Sequence, residues 1–209
     1  MKRIELLLIG LTIAIFANGQ IVKIQGGTSI SKLDWDVKGS DWVMFNEALI
    51  GYSIFAGIDY IDKQYFNLSS NIGMVRKGGT NEIQFMNSKQ ILKAEQTLDY
   101  LSINTMIEFK YRIKKTISPF ISFGPRFDYL LHNGKFDTFE GLINLKSTSV
   151  GLILGGGLKY DISSFQFGLR ADYYLDFTNV TDWSTVNTRV VGESVNTFTI
   201  NLGVGYRLK

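Results

Sequence analysis

The chain has 209 residues, with 22 basic and 19 acidic side chains for a net charge of +3, two prolines, 21 glycines, 13% aromatics and no cysteine. So even a balance gives no reason for nucleic-acid binding, and without cysteine there is neither a disulfide framework nor a lipoprotein acylation site. Past residue 19 no apolar run reaches the roughly 18 residues that mark a spanning helix, which excludes helical spans.

Residues 1–19 read as a cleavable export signal. Lys2 and Arg3 give a positive start, Leu6 to Phe16 an apolar run too short to span, and Ala17-Asn18-Gly19 a small-residue cleavage site. Cleavage before Gln20 leaves a barrel domain of residues 20–209, with a net charge of +2 once Lys2, Arg3 and Glu5 are gone.

From there the chain alternates with period two, the signature of strands with one apolar and one polar face. The first predicted strand, about Ile21–Lys32, sets Val22, Ile24 and Ile30 against Lys23, Gln25 and Ser29. The second, Ala48–Tyr60, opposes Ile50, Tyr52, Ile54 and Ile58 to Gly51, Ser53, Gly57 and Asp59. The third, Tyr65–Lys77, sets Phe66, Leu68, Ile72 and Met74 against Asn67, Ser69 and Asn71. The fourth and fifth, Leu98–Ile113 and Pro119–Leu131, oppose apolar odd positions to Glu108, Lys110 and Arg112 and to Arg126 and Asp128. The sixth and seventh, Thr148–Ile162 and Phe165–Phe177, do the same against Gly155, Gly157, Lys159 and Asp161 and against Arg170, Asp172 and Asp176. The eighth, Thr197–Lys209, alternates without a fault from Phe198 to Leu208. Pro125 interrupts the fifth strand, where it cannot donate to a ladder, and predicts a bulge at Gly124-Pro125.

Alternation alone suits both a membrane barrel and a secreted, lipocalin-like soluble barrel. The connections favour the first. They are tight near Asp62, Lys115 and Ser163 but long and polar over Leu33–Glu47, Gly78–Thr97, His132–Ser147 and Thr178–Asn196, the rhythm of an outer-membrane barrel. Aromatics sort by height as well. Tyr60, Phe66, Tyr111, Tyr160, Phe165 and Tyr206 fall at the short-turn end, and Tyr129, Phe177 and Phe198 near the long loops, as two belts at membrane–water boundaries. The expected fold is an all-β, eight-stranded antiparallel up-and-down transmembrane barrel.

An eight-stranded barrel is only wide enough to be filled by side chains. The polar-face charges Glu108, Lys110, Arg112, Arg126, Asp128, Lys159, Arg170, Asp172 and Arg207 are then expected to pair in a structural lumen network, since isolated buried charges are costly. A narrow ion path or proton relay is the sharper alternative. Gly155 and Gly157 are expected to make room for Arg170 and Asp172 on the next strand.

Little points to catalysis. His132, the only histidine, ends the fifth strand with Glu140 and Ser147 in the loop that follows, a composition compatible with a lipid A-modifying enzyme but with no spacing that requires one. Gly155-Gly156-Gly157 before Lys159 has the wrong order for a phosphate loop, and no metal-ligand cluster exists. No catalytic residue, cofactor or metal is therefore expected. Trp35, Trp42, Phe136, Phe139 and Trp183 in the long loops are candidate contacts for a partner protein or glycan.

Five segments resemble the PorT-like outer-membrane β-barrel proteins of Bacteroidota. They are Arg76-Lys-Gly-Gly79, Pro119-Phe-Ile-Ser-Phe-Gly-Pro125, Gly151-Leu-Ile-Leu-Gly-Gly-Gly-Leu-Lys-Tyr160, Phe167-Gly-Leu-Arg-Ala-Asp-Tyr-Tyr174 and Leu202-Gly-Val-Gly-Tyr206. The resemblance implies an eight-stranded barrel in the outer membrane, with periplasmic termini and outward long loops, and no catalytic residues. It opens a role as accessory subunit of a type IX-like secretion system. The leading expectation is a small non-enzymatic barrel that contacts membrane lipid and lipopolysaccharide and, through its four loops, another envelope or secretion protein.

Overall fold

A computed structural model of the chain describes residues 20–38, 43–44, 47–84, 91–113, 116–134, 145–184 and 189–208, the side chains at 34–38, 43–44, 82–84, 91–94, 181–184 and 189–194 excepted. The predicted signal segment, Trp42, Phe136, Phe139 and Glu140 lie outside the described residues.

Ten strands form one sheet: β1 (Ile21–Lys38), β2 (Val43–Met44), β3 (Glu47–Asp62), β4 (Phe66–Gln84), β5 (Ile91–Lys110), β6 (Ile117–Asn133), β7 (Thr148–Ile162), β8 (Phe165–Asp176), β9 (Thr181–Ser184) and β10 (Arg189–Arg207). The order β1-β3-β4-β5-β6-β7-β8-β10, with β1 paired back to β10, is a closed antiparallel barrel of eight strands. The closing seam runs in unbroken register from Ile21↔Arg207 to Leu33↔Val195. Closure leaves no free edge in the barrel wall, so every strand there is paired on both sides.

The direction of the two faces separates a membrane barrel from a soluble one. Ile50 is 74% exposed, Leu202 69% and Ile121 67%, whereas Asp59, Asn67, Glu108 and Asp128 are 0% exposed. The apolar face points outward and the charges point inward, which overturns the soluble lipocalin-like alternative. The predicted belts lie on the outward face, and Tyr65 and Phe109 join the one at the short turns. Phe165 and Tyr206 meet there edge to face at 5.4 Å.

Three expectations need correction. Most of the predicted loops Leu33–Glu47, Gly78–Thr97 and Thr178–Asn196 are strand. β4 and β5 stay paired out to Gln84↔Ile91, and β1 and β10, after a bulge past Leu33, out to Lys38↔Arg189. β2 and β9 flank that second extension, so four strands β2-β1-β10-β9 stand beyond the barrel at the long-loop end. Polar residues there obscured the alternation, while cross-strand hydrogen bonds kept the ladder going. Second, no bulge accommodates Pro125. Its pairing to β7 is continuous (Gly124↔Ile153, Pro125↔Leu152), and the β5–β6 ladder resumes in the same register, Asn104↔Arg126 and then Ile107↔Phe123. A Cβ on Gly124 would stand 1.9 Å from the Thr105 carbonyl oxygen, so glycine is what lets β5 and β6 approach there. Third, the fourth strand ends at Lys110 instead of Ile113, and Ile113↔Ile117 is a lone bridge in a wider turn. The tightest turn joins β7 to β8 through Ser163, whose φ of 54° is left-handed.

Candidate functional site

Inward-facing positions on β5 descend through the lumen in steps of two: Leu98, Tyr100, Ser102, Asn104, Met106, Glu108 and Lys110. Each marks a layer.

At the short-turn mouth Lys110 pairs with Asp62. Arg207 reaches Asp62 at 3.2 Å and Asp161 at 3.5 Å, and Arg112 stands 3.9 Å from Asp161. Gln166 donates to Asp161 at 2.9 Å. These residues meet because the short turns gather the ends of β3, β5, β7 and β10 around one opening.

Glu108 is the hub of the layer above. It accepts from Arg170 at 2.7 Å and from Asn67 at 2.8 Å, and it pairs with Lys159. Arg170 also holds Asp172 at 2.6 Å and donates to Ser122 at 2.7 Å. Asp59 forms an ion pair with Lys23 at 2.6 Å and accepts from Lys159 at 3.4 Å. Lys23, Lys159 and Arg170 thus face Asp59, Glu108 and Asp172, and the cluster is neutral. Phe120 lies beneath two of the cations, 5.2 Å from Lys159 and 5.5 Å from Arg170. Gly155 pairs with Asp172 and Gly157 with Arg170. A Cβ on Gly155 would overlap the Asp172 carboxylate at 1.9 Å, so the missing side chain is the space the acid uses. A void of about 30 Å³ beside Gly203 and Gly205 adjoins this cluster, room for a water molecule.

An amide layer follows. Asn71 donates to Asn104 at 2.7 Å and accepts from Gln25 at 3.3 Å, and Ser53 donates to Asn201 at 2.5 Å. Above it sits a second neutral cluster. Lys77 holds Asp128 at 2.7 Å and Asp176 at 3.6 Å, while Arg126 lies 3.4 Å from Asp128 and pairs with Asp176. Tyr174 and Tyr100 flank it, the Arg126 guanidinium 4.7 Å above the Tyr174 ring and Lys77 5.1 Å from that of Tyr100.

The lumen ends in an apolar plug. Leu33, Phe55, Val75, Leu98, Tyr100, Val180 and Val195 form a buried cluster, with Leu130 and Leu145 packed against it. This plug is absent from the expectation. Leu33, Leu98 and Val195 sit where the alternation fades into the predicted loops, so nothing in the sequence marks them as inward.

The nine charges named from sequence therefore fall into three groups. Glu108, Lys159, Arg170 and Asp172 share one cluster, Arg126 and Asp128 another, and Lys110, Arg112 and Arg207 the mouth. Asp59, on the polar face by its alternation, joins the first cluster, and the further partners Lys23, Asp62, Lys77 and Asp176 are added by the structure. Lys77 and Asp176 stand at predicted strand ends, where polar residues are expected anyway. Of the loop aromatics, Trp35 pairs in register with Met44 and Gly192, and Trp183 with Val190, which puts both on the four-stranded extension. His132 is the register partner of Asp99 at the outer rim, while Ser147 accepts a backbone hydrogen bond from Leu130. Toward the long-loop end Arg76 holds Asp99 with two hydrogen bonds of 2.7 and 2.8 Å and lies 4.9 Å over the Tyr52 ring.

Comparison with known proteins agrees with this architecture. The outer membrane protein OprG from Pseudomonas aeruginosa superposes with a TM-score of 0.58 at 11% identity, over 92% of this chain and 97% of that one. AlkL, an outer membrane protein determined in DMPC lipid bilayers, gives 0.51 at 17% identity, over 93% and 92%. At these identities the likeness is one of fold. No curated protein matches the chain. The sequence profile of the outer membrane protein beta-barrel domain matches residues 5–207, nearly the whole chain, and the chain belongs to that family of the outer membrane.

Proposed function

We propose that the protein is a non-enzymatic outer-membrane barrel that anchors and presents an extracellular β-structure for contact with another envelope component, its short turns and both termini facing the periplasm. The observation that carries this reading is the sealed lumen. Two neutral ion-pair layers fill it, and the plug of Leu33, Val75, Leu98 and Val195 closes it below the strand extensions. A packed barrel of this size offers no route for solute, so its working surface is what projects from it. The extensions β1–β10 and β4–β5, with Trp35 and Trp183 among their positions, provide that surface.

The test is twofold. Purified barrel in planar bilayers is expected to show no steady single-channel conductance. A photo-crosslinking residue at position 183, displayed on whole cells, is expected to capture a discrete partner that is lost when residues 81–94 of the neighbouring extension are shortened. Stable conductance steps would refute the sealed lumen, and crosslinks indifferent to the extensions would refute the contact role. The PorT-like strand segments support one specific partner class, a type IX-like secretion assembly. Co-purification of a secretion subunit with the tagged barrel tests it.

A further inference from the structure

The short-turn end of the barrel carries its outward charge as cations. Its acids Asp62 and Asp161 are tucked inward, their side chains only 6% and 17% exposed, each beneath an arginine. The charges that reach outward there are cations: Lys63 is exposed, Arg207 is 38% exposed and Arg112 32%. The ion pair of Arg112 with Asp161 is long at 3.9 Å, which leaves its outer N–H groups able to meet an anion. With the inward Lys110, the described residues at this end hold four cations against two acids, a surplus of two.

The cations also stand at a particular height. Tyr65 and Tyr111, 63% and 67% exposed, lie within two residues of Lys63 and Arg112, and belong to the aromatic belt that marks a membrane–water boundary. Cations one step beyond such a belt sit at the level of lipid headgroups. A docking surface for a soluble acidic protein would not need to stand at the height of the belt. These cations do, at the β3–β4 turn, just past the end of β5 and at the end of β10, although the Ser163–Ser164 turn carries none.

We propose that the short-turn end is a collar that binds anionic phospholipid headgroups, with Lys63, Arg112 and Arg207 as its phosphate contacts, and that this grip fixes which end of the barrel faces the phospholipid leaflet. The proposal rests on the reading of the chain as an outer-membrane barrel with periplasmic turns. Arg112 and Arg207 can present two N–H groups to one phosphate, whereas Lys63 supplies a point charge. The acids beneath hold the arginines in place and keep the collar from collapsing by self-repulsion.

The experiment uses the folded chain in vesicles of phosphatidylcholine with phosphatidylglycerol mixed in, followed by native mass spectrometry of the lipids each barrel retains. Wild type is expected to retain phosphatidylglycerol in preference to phosphatidylcholine. A variant with Lys63→Gln, Arg112→Gln and Arg207→Gln is expected to lose that preference by about fivefold per cation removed. A control with Lys32→Gln and Lys146→Gln, cations of the other end, is expected to keep it. An unchanged preference in the collar variant, or an equal loss in the control, overturns the collar. So does full competition by inorganic phosphate, which would make this an ion site, or a variant that loses only an acidic periplasmic protein as crosslinked partner. Failure of the barrel reading looks different: the wild-type chain would not enter vesicles and would migrate identically boiled and unboiled.

Discussion

Glu108→Gln removes one negative charge from the middle of the lumen with little change in shape. The carboxylate is fully buried and takes three donors, Arg170 at 2.7 Å, Asn67 at 2.8 Å and Lys159. After substitution Lys23, Lys159 and Arg170 face only Asp59 and Asp172, and one buried cation is left without a partner. Removing one partner of a buried pair costs about 3–5 kcal/mol, on the order of two to four powers of ten in the folded-to-unfolded ratio. Urea titration of the barrel in micelles, scored by the fast-migrating band of unboiled samples, reads this directly. The double variant Glu108→Gln with Lys159→Met restores neutrality and is expected to recover most of the loss, with a coupling energy above about 1 kcal/mol. A single variant within about 1 kcal/mol of wild type, or a double variant whose losses simply add, would refute the view that charge balance in this layer holds the barrel together.

Gly155→Ala is expected to cost about 1–3 kcal/mol in the same titration, because its Cβ would meet the Asp172 carboxylate at 1.9 Å while Arg170 holds that acid fixed. Leu33→Ser combined with Leu98→Ser opens the plug, and planar-bilayer recording should then show ion leak absent from wild type; no leak would place the seal in the layers below. Toward the long-loop end, Asp99→Asn takes away the charged acceptor of two Arg76 hydrogen bonds and is expected to lower the melting temperature; a variant that melts with wild type would remove this pair as a source of stability.

Where one face of a strand meets a different solvent from the other, side-chain alternation reports the structure directly. That held from Val150 to Tyr160 in β7, whose predicted bounds match the observed strand, and for the glycines set opposite Arg170 and Asp172. It failed where the sequence itself loses the alternation. Past Leu33 and Lys77 and ahead of Thr197, apolar and polar residues no longer take turns, so the extensions read as loops although their backbones stay paired. Pro125 misled for another reason. A missing N–H argues for a bulge, but the close approach of β5 at Gly124 keeps both strands in register.

The sequence by itself determined eight period-two segments, the alternation of short and long connections, and the identity of most lumen charges, because each depends on spacing along the chain. Only the tertiary structure decided which face points outward, which acid each cation holds, and that an apolar plug closes the lumen. Those depend on the register of eight strands around a closed ring, which brings together residues such as Lys159 and Asp59, far apart in the chain yet 3.4 Å apart in the barrel.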